Sequence, residues 1–199
     1  MRVISGKARG VVLKTPEGQR TRPTTDRVKE AMFSIIQFDL PGTRILDLFG
    51  GTGQLGIEAV SRGAKSAVFV DAEETACRLI RENLRKAKME QEGRVVRSDY
   101  LAYLSSCRET FDIILLDPPY AEVFLENALK KITEIDILQS GGIIVAERPL
   151  GKELPWEYEG FTRSSSGKVA SPIAFRDLNC FKSSCFLTGP IPSIPSSSE

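Results

Sequence analysis

Residues 117–120 read Asp-Pro-Pro-Tyr and close the apolar run FDIILL at 111–116. Proline has a fixed φ and no N–H, so two in succession stop a strand and leave a stiff turn whose carbonyls lack neighbouring donors. Rigid acceptors of this kind suit an exocyclic amine. Asp117 can accept one amine hydrogen and the Pro118 carbonyl the other, which turns the nitrogen lone pair out of conjugation and toward an electrophile. Tyr120 offers a face for base stacking, worth roughly 1–3 kcal/mol. The alternative is an ordinary strand stop with Tyr120 capping the core. The guanine Watson–Crick edge has two adjacent donors, which an acceptor-only carboxylate matches, whereas adenine sets a donor beside an acceptor. Asp117 therefore leans toward guanine, with adenine left open.

A second chemical signature lies at 47–56, DLFGGTGQLG. Gly51-Thr52-Gly53-Gln54-Leu55-Gly56 is a G-x-G-x-x-G turn between an expected strand and an expected helix, as a nucleoside-binding turn requires. Glycines let the backbone approach a ligand, and the helix start offers unpaired N–H groups. Asp71 ends the next expected strand, 20 residues after Gly51, where a carboxylate can accept from ribose hydroxyls. Asp47 precedes the glycines at the strand end. Its charge would repel a pyrophosphate and suits a cofactor with cationic groups, such as the ammonium and sulfonium of S-adenosylmethionine. A tight turn with no ligand is the plain alternative.

The elements that would position these residues follow from periodicity. Apolar runs at 44–49, 67–71, 94–97, 111–117 and 142–147 read as strands, and amphipathic stretches near 54–62, 73–88, 100–107 and 122–137 read as helices. The longer helix stripes are Ala76, Cys77, Ile80, Leu84 and Ala87, and then Leu125, Ala128, Leu129, Ile132 and Ile135. Alternation of this kind predicts βαβ units and a parallel sheet covered on both faces. In such a sheet the fourth core strand lies beside the first, across the switch point where ligands bind. The glycine turn and Asp-Pro-Pro-Tyr are thereby expected to share one crevice.

Ahead of these units, residues 2–4 and 11–14 read as short strands of a hairpin, and Val28, Ala31, Met32, Ile35 and Ile36 as the apolar stripe of a helix that follows Pro23. Residues 1–29 carry eight basic residues, among them Arg2, Lys7, Arg9, Arg20, Arg22 and Arg27, against Glu17 and Asp26, although the whole chain is only +1. That asymmetry points to a polyanionic partner, with a solvated terminus as the alternative. Arg27 and Lys29 sit in a first helical turn, where the macrodipole disfavours cations, so a nearby anion is expected.

Composition excludes several chemistries. The 199 residues include no histidine, which removes Ser-His and Cys-His nucleophiles. Cys77, Cys107, Cys180 and Cys185 form no CxxC pair, so a zinc site or other metal is not expected and buried thiols are. The longest apolar runs are too short to span a bilayer, and the first residues turn polar at once, which predicts a cytoplasmic protein with no membrane partner. Residues 157–163 and 168–175 could form a closing hairpin, and the Pro- and Ser-rich end reads as disordered.

Together, MRVISGKARG (1–10), TRPTTDRVKEAMFSII (21–36), LDLFGGTGQLGIEAVSRGA (46–64), FVD (69–71), NL (83–84), Asp99 and FDIILLDPPY (111–120) resemble the RsmD-type family. These are 16S ribosomal RNA guanine-N2 methyltransferases, within the (N/D)PPY class that uses S-adenosylmethionine. The resemblance implies a Rossmann-like, doubly wound α/β fold with a mostly parallel seven-stranded sheet whose last strand is antiparallel. It implies cofactor contacts near Asp47, Phe49, Gly51, Gly53, Asp71 and Asp99, the last on the adenine amine, and a substrate site at Asp117, Pro118, Pro119 and Tyr120. It assigns a basic arm over 1–23 to 16S ribosomal RNA or the assembling small subunit, with RNA contacts expected at Arg2, Lys7, Arg9, Arg20 and Arg22 of the arm and at Arg27 just after it. The methyltransferase domain is expected over 24–178 and a divergent tail over 179–199. GKVASPIAF (167–175) departs from the family's usual K-Y-G-x-T-like closing hairpin. Other readings are adenine-N6 methylation of DNA or RNA, and a non-catalytic nucleotide- or RNA-binding module.

Overall fold

A computed structural model describes residues 1–16, 26–118 and 122–146, and the backbone of 157–158, 161–163 and 174–177. Its centre is a parallel sheet of β1 (Arg44–Asp47), β2 (Ser66–Asp71), β3 (Gly93–Arg97), β4 (Phe111–Leu116) and β5 (Leu138–Ala146), in the order β3-β2-β1-β4-β5. The helices are α1 (Asp26–Ile35), α2 (Gln54–Ser61), α3 (Glu74–Ala87), α4 (Tyr100–Ser106) and α5 (Glu122–Ile135). No helix among the described residues is long and apolar enough to cross a membrane.

Strand side chains alternate between two faces, and both faces are dry. Ile45, Phe69, Ile113, Leu115, Ile143 and Val145 join one core with Met32 and Phe33 of α1, Leu55 and Ile57 of α2, and Ile80 and Leu84 of α3. Their neighbours Leu46, Val68, Ile114, Leu116 and Ile144 join a second core with Tyr103 and Leu104 of α4 and Leu125, Leu129 and Ile132 of α5. Cys77 and Cys107 are free and buried, as small core residues.

Beyond β5 the sheet continues through three short strands, β6 (Glu157–Tyr158), β7 (Phe161–Arg163) and β8 (Ala174–Asp177), in the order β5-β8-β7-β6. The expected seven strands with an antiparallel last member differ from this. Eight strands are described, and β8 runs parallel to both β5 and β7. Within the described sheet only β6 and β7, joined by two residues, are antiparallel. β5 begins at Leu138 rather than 142, because Leu138 pairs with Phe111 ahead of a register shift between Phe111 and Ile113.

The first 16 residues lie on the body of the domain. Val3, Ala8 and Leu13 are buried in the core that holds α1 and α2. The expected strands at 2–4 and 11–14 reduce to a single antiparallel bridge, Arg2 with Val12, flanked by hydrogen bonds from Val3 N to Val11 O and from Gly10 N to Val3 O. The turn between them spends its hydrogen bonds on α2 instead: Lys7 N donates to Ser61 O at 2.8 Å and Ala8 N to Ser61 Oγ at 3.0 Å. Gly6 makes that docking possible. Its φ is +82°, and a Cβ there would sit 1.7 Å from Ser61 O, so no side chain fits.

Glu58 is the anchor beneath this segment. It is fully buried and accepts from Ile4 N at 2.8 Å, Ser5 N at 3.0 Å and Arg62 Nε at 2.7 Å, with Lys29 Nζ 3.7 Å away. Lys29, also fully buried, donates to Arg2 O at 2.6 Å. Burial lowers the Lys29 ammonium below its ordinary range, and the Glu58 charge opposes that fall. For Lys29, the anion expected beside this first helical turn is an internal carboxylate, while the side chain of Arg27 lies outside the described residues.

Candidate active site

Three carboxylates converge where neighbouring parallel strands end. Asp47 closes β1, Asp71 closes β2, and Asp117 follows β4. Asp47 lies opposite Phe69 and Leu115 in the strand register, and Leu48 N donates to Leu115 O at 3.1 Å. The glycine turn and the start of Asp-Pro-Pro-Tyr thus leave adjacent strands at the same sheet edge. Asp117 and Pro118 are half-buried there, whereas Pro119 and Tyr120 lie outside the described residues.

Asp47 is almost entirely buried, and its Oδ2 accepts from Gly56 N at 3.0 Å. Burial pushes its carboxyl up to about 8, the charges of Asp117 and Asp71 add to that, and the Gly56 N–H opposes it. Asp47 therefore holds its proton to a higher pH than an ordinary carboxylate does. A cationic group in the crevice would favour its release.

The glycine turn is folded for close approach. Gly51 and Gly53 have φ of +52° and +77°, in the left-handed region that side chains disfavour. Gly53 is the N-cap of α2 and supplies no side-chain cap; Asp47 instead takes the Gly56 N–H in the first turn. Asp71 Oδ2 accepts from Gly51 N at 2.8 Å and Oδ1 from Glu73 N at 2.9 Å, which fixes the carboxylate with lone pairs to spare. Asp99 caps α4 through Oδ1 alone, accepting from Leu101 N and Ala102 N, which leaves Oδ2 available. Ser98 N donates to Asp71 O at 3.0 Å, so these two acids sit on adjoining loops.

Phe49 belongs to an aromatic cluster that the sequence reading did not anticipate. Its ring centroid lies 5.2 Å from Tyr100 and 6.5 Å from Phe124, and Tyr100 lies 5.5 Å from Phe124. Phe124 and the neighbouring Val123, in the first turn of α5, keep exposed apolar surface. The signal was present as an aromatic residue after each of three strand ends. Their meeting needs the β1–β4 adjacency.

The basic residues of the N-terminal segment are spread over its outer face. Lys7 pairs with Glu92 at 2.5 Å and Arg2 with Asp26 at 3.5 Å, while Arg9 is exposed. Arg20 and Arg22, and the side chain of Arg27, lie outside the described residues. Exposed ion pairs of this kind contribute about 0–1 kcal/mol, so either lysine or arginine can exchange its partner for a phosphate at little cost.

The family described as Conserved hypothetical protein 95 matches residues 1–172. An Escherichia coli (strain K12) protein named "Ribosomal RNA small subunit methyltransferase D" is 30% identical over 176 residues, 88% of each chain. The chain belongs to this RsmD-type family. A Bacillus subtilis (strain 168) protein named "Putative rRNA methyltransferase YlbH" is 45% identical over 158 residues, 78% of this chain and 86% of that protein. Among solved structures, the Thermus thermophilus hypothetical protein TTHA0928 is 33% identical, with a TM-score of 0.63 over 71% of this chain and 82% of the other.

The cofactor of RsmD-type methyltransferases is S-adenosylmethionine, and the crevice fits it. A buried acid whose ionised form a cation would stabilise stands beside a glycine turn at a helix start, and two further acids on adjoining loops carry carboxylate oxygens that can accept. A cationic methionine moiety, a ribose and an adenine amine are the groups such acceptors bind.

Proposed function

We propose that this RsmD-type methyltransferase transfers a methyl group from S-adenosylmethionine to the N2 amine of a guanine in 16S ribosomal RNA, with naked RNA or the assembling small subunit as its partner. The observation that carries the reading is the pairing of β1 with β4, which brings Asp47 and Asp117 to one edge of the sheet. The name of the Escherichia coli relative, a small-subunit ribosomal RNA methyltransferase, supports the substrate class.

In this reading Asp47 faces the cationic end of the cofactor, Asp71 the ribose and Asp99 Oδ2 the adenine amine, while Phe49 packs beside the base. Bound S-adenosylmethionine supplies an electrophilic methyl on a sulfonium. Asp117 accepts one hydrogen of the guanine amine and the Pro118 carbonyl the other. Pro119 keeps that turn stiff, and the nitrogen lone pair is freed toward the methyl. Tyr120 stacks on a guanine flipped out of its helix. Arg2, Lys7, Arg9, Arg20, Arg22 and Arg27 hold phosphates and position the RNA. No histidine base is needed, because the Asp117 carboxylate that accepts one amine hydrogen would take up the proton the methyl group displaces.

Replacing Asp117 with alanine tests the assignment. Asp117→Ala is expected to lower methyl transfer to 16S ribosomal RNA by at least about 100-fold while cofactor affinity in a calorimeter stays near wild type. Equal loss of both would place Asp117 in the cofactor site instead.

A further inference from the structure

Asn83 is a fully buried polar residue with no part in the chemistry described so far. It lies on the inner face of α3 beside Ile80, Leu84 and Ala87, where a helix of this pattern normally carries an apolar side chain. Its amide makes three hydrogen bonds, all to main chain. Nδ2 donates to Thr52 O at 2.8 Å and to Lys14 O at 3.1 Å, and Oδ1 accepts from Lys14 N at 2.7 Å. Both amide hydrogens are therefore used, one in each direction. Thr52 stands between the two left-handed glycines of the cofactor turn, and Lys14 stands near the end of the described N-terminal segment. Further contacts join the same parts. Thr52 Oγ1 donates to Met1 Sδ at 3.4 Å, Lys14 Nζ pairs with Glu82 at 2.5 Å, and Lys86 Nζ donates to Val12 O at 3.4 Å.

From this geometry we infer that Asn83 is a positioning residue that couples the N-terminal segment to the cofactor turn. A buried amide holds its orientation only while every partner is in place. Lys14 fixes the amide from one side, and the fixed amide fixes the Thr52 carbonyl on the other. Gly51 and Gly53 then keep the backbone that receives the cofactor. Undocking the segment releases the amide and loosens the turn. The same coupling runs in reverse, since linkage between two sites is reciprocal. Where the segment holds RNA, as in the function proposed above, RNA that favours its docked state tightens cofactor binding by the factor with which cofactor tightens RNA binding.

The test uses the full chain, S-adenosylhomocysteine as the probe, and no RNA. Its failure would thus remove the coupling and leave the substrate reading untouched. Lys14→Pro deletes the N–H that Asn83 accepts and also the ion pair with Glu82. Lys14→Ala deletes only the ion pair and is the reference. Lys14→Pro is expected to weaken S-adenosylhomocysteine about 3- to 10-fold relative to Lys14→Ala and to speed amide hydrogen exchange at residues 50–56. Asn83→Leu, similar in size but unable to bond either segment, is expected to do the same. If that variant does not fold, Lys14→Pro decides alone. Equal affinity and equal protection of residues 50–56 in Lys14→Pro and Lys14→Ala would overturn the inference.

Discussion

Asp47 and Asp117 end neighbouring parallel strands, and the charge of Asp117 helps hold the buried Asp47 carboxyl up at about 8. The sign of the linkage is fixed. The folded chain keeps a proton that the unfolded chain releases near the ordinary carboxylate value, so this group's contribution to stability is present below that value and is lost as pH rises toward 8. A cofactor cation favours the ionised form, so binding releases a proton. Affinity for S-adenosylmethionine should rise by up to about tenfold per pH unit between pH 6 and 7. Asp71 and Asp117 face the same group, but it is Asp47→Asn that should abolish the slope. Calorimetry in two buffers of different ionisation enthalpy checks it, and a flat wild-type profile would contradict it.

Glu58 is the stability centre of the N-terminal segment. Glu58→Ala strands the buried Lys29 charge and leaves the Ile4 and Ser5 N–H groups without their acceptor. Removing one partner of such a pair should cost about 3–5 kcal/mol in urea unfolding. Lys14→Ala, which breaks only the exposed pair with Glu82, should leave the urea midpoint close to wild type. Similar values for the two variants would show that the segment is not anchored through Glu58.

The outer face of the segment is expected to bind phosphate. Replacing Arg2, Arg9 and Arg22 together with alanine should weaken 16S ribosomal RNA binding and flatten the slope of log affinity against log salt by up to about 2–3 units, near one for each phosphate no longer neutralised. Filter binding at several salt concentrations reads both quantities. An unchanged slope would return these residues to a solvated surface.

Much of the fold was legible because its signals are local. Runs such as RILD and FDIILL set apolar residues at consecutive positions, Ile45-Leu46 and Ile113 to Leu116, as strands covered on both faces do, and the glycine turn with Asp71 20 residues on marks the first crossover. The stripe of α3 was also legible, but its polar member was not. Asn83 answers to main-chain groups 69 and 31 residues away, and Glu58 to main-chain groups 54 and 53 residues away. No periodicity carries such partners. The basic first turn of α1 did signal an anion, and the fold supplies it from α2. The parallel β8 escaped because strand direction depends on where a connection returns, which spacing alone does not encode.

The most direct measurement is nucleoside analysis of RNA labelled by the protein. Methyl-labelled S-adenosylmethionine is supplied with unmodified 16S ribosomal RNA and, separately, with small-subunit particles. The RNA is then digested and the labelled nucleoside identified by chromatography and mass spectrometry. Label in N2-methylguanosine with at least one of the two substrates is the predicted result. Label in N6-methyladenosine would contradict the guanine assignment, and no incorporation into either substrate would contradict methyl transfer to 16S RNA altogether.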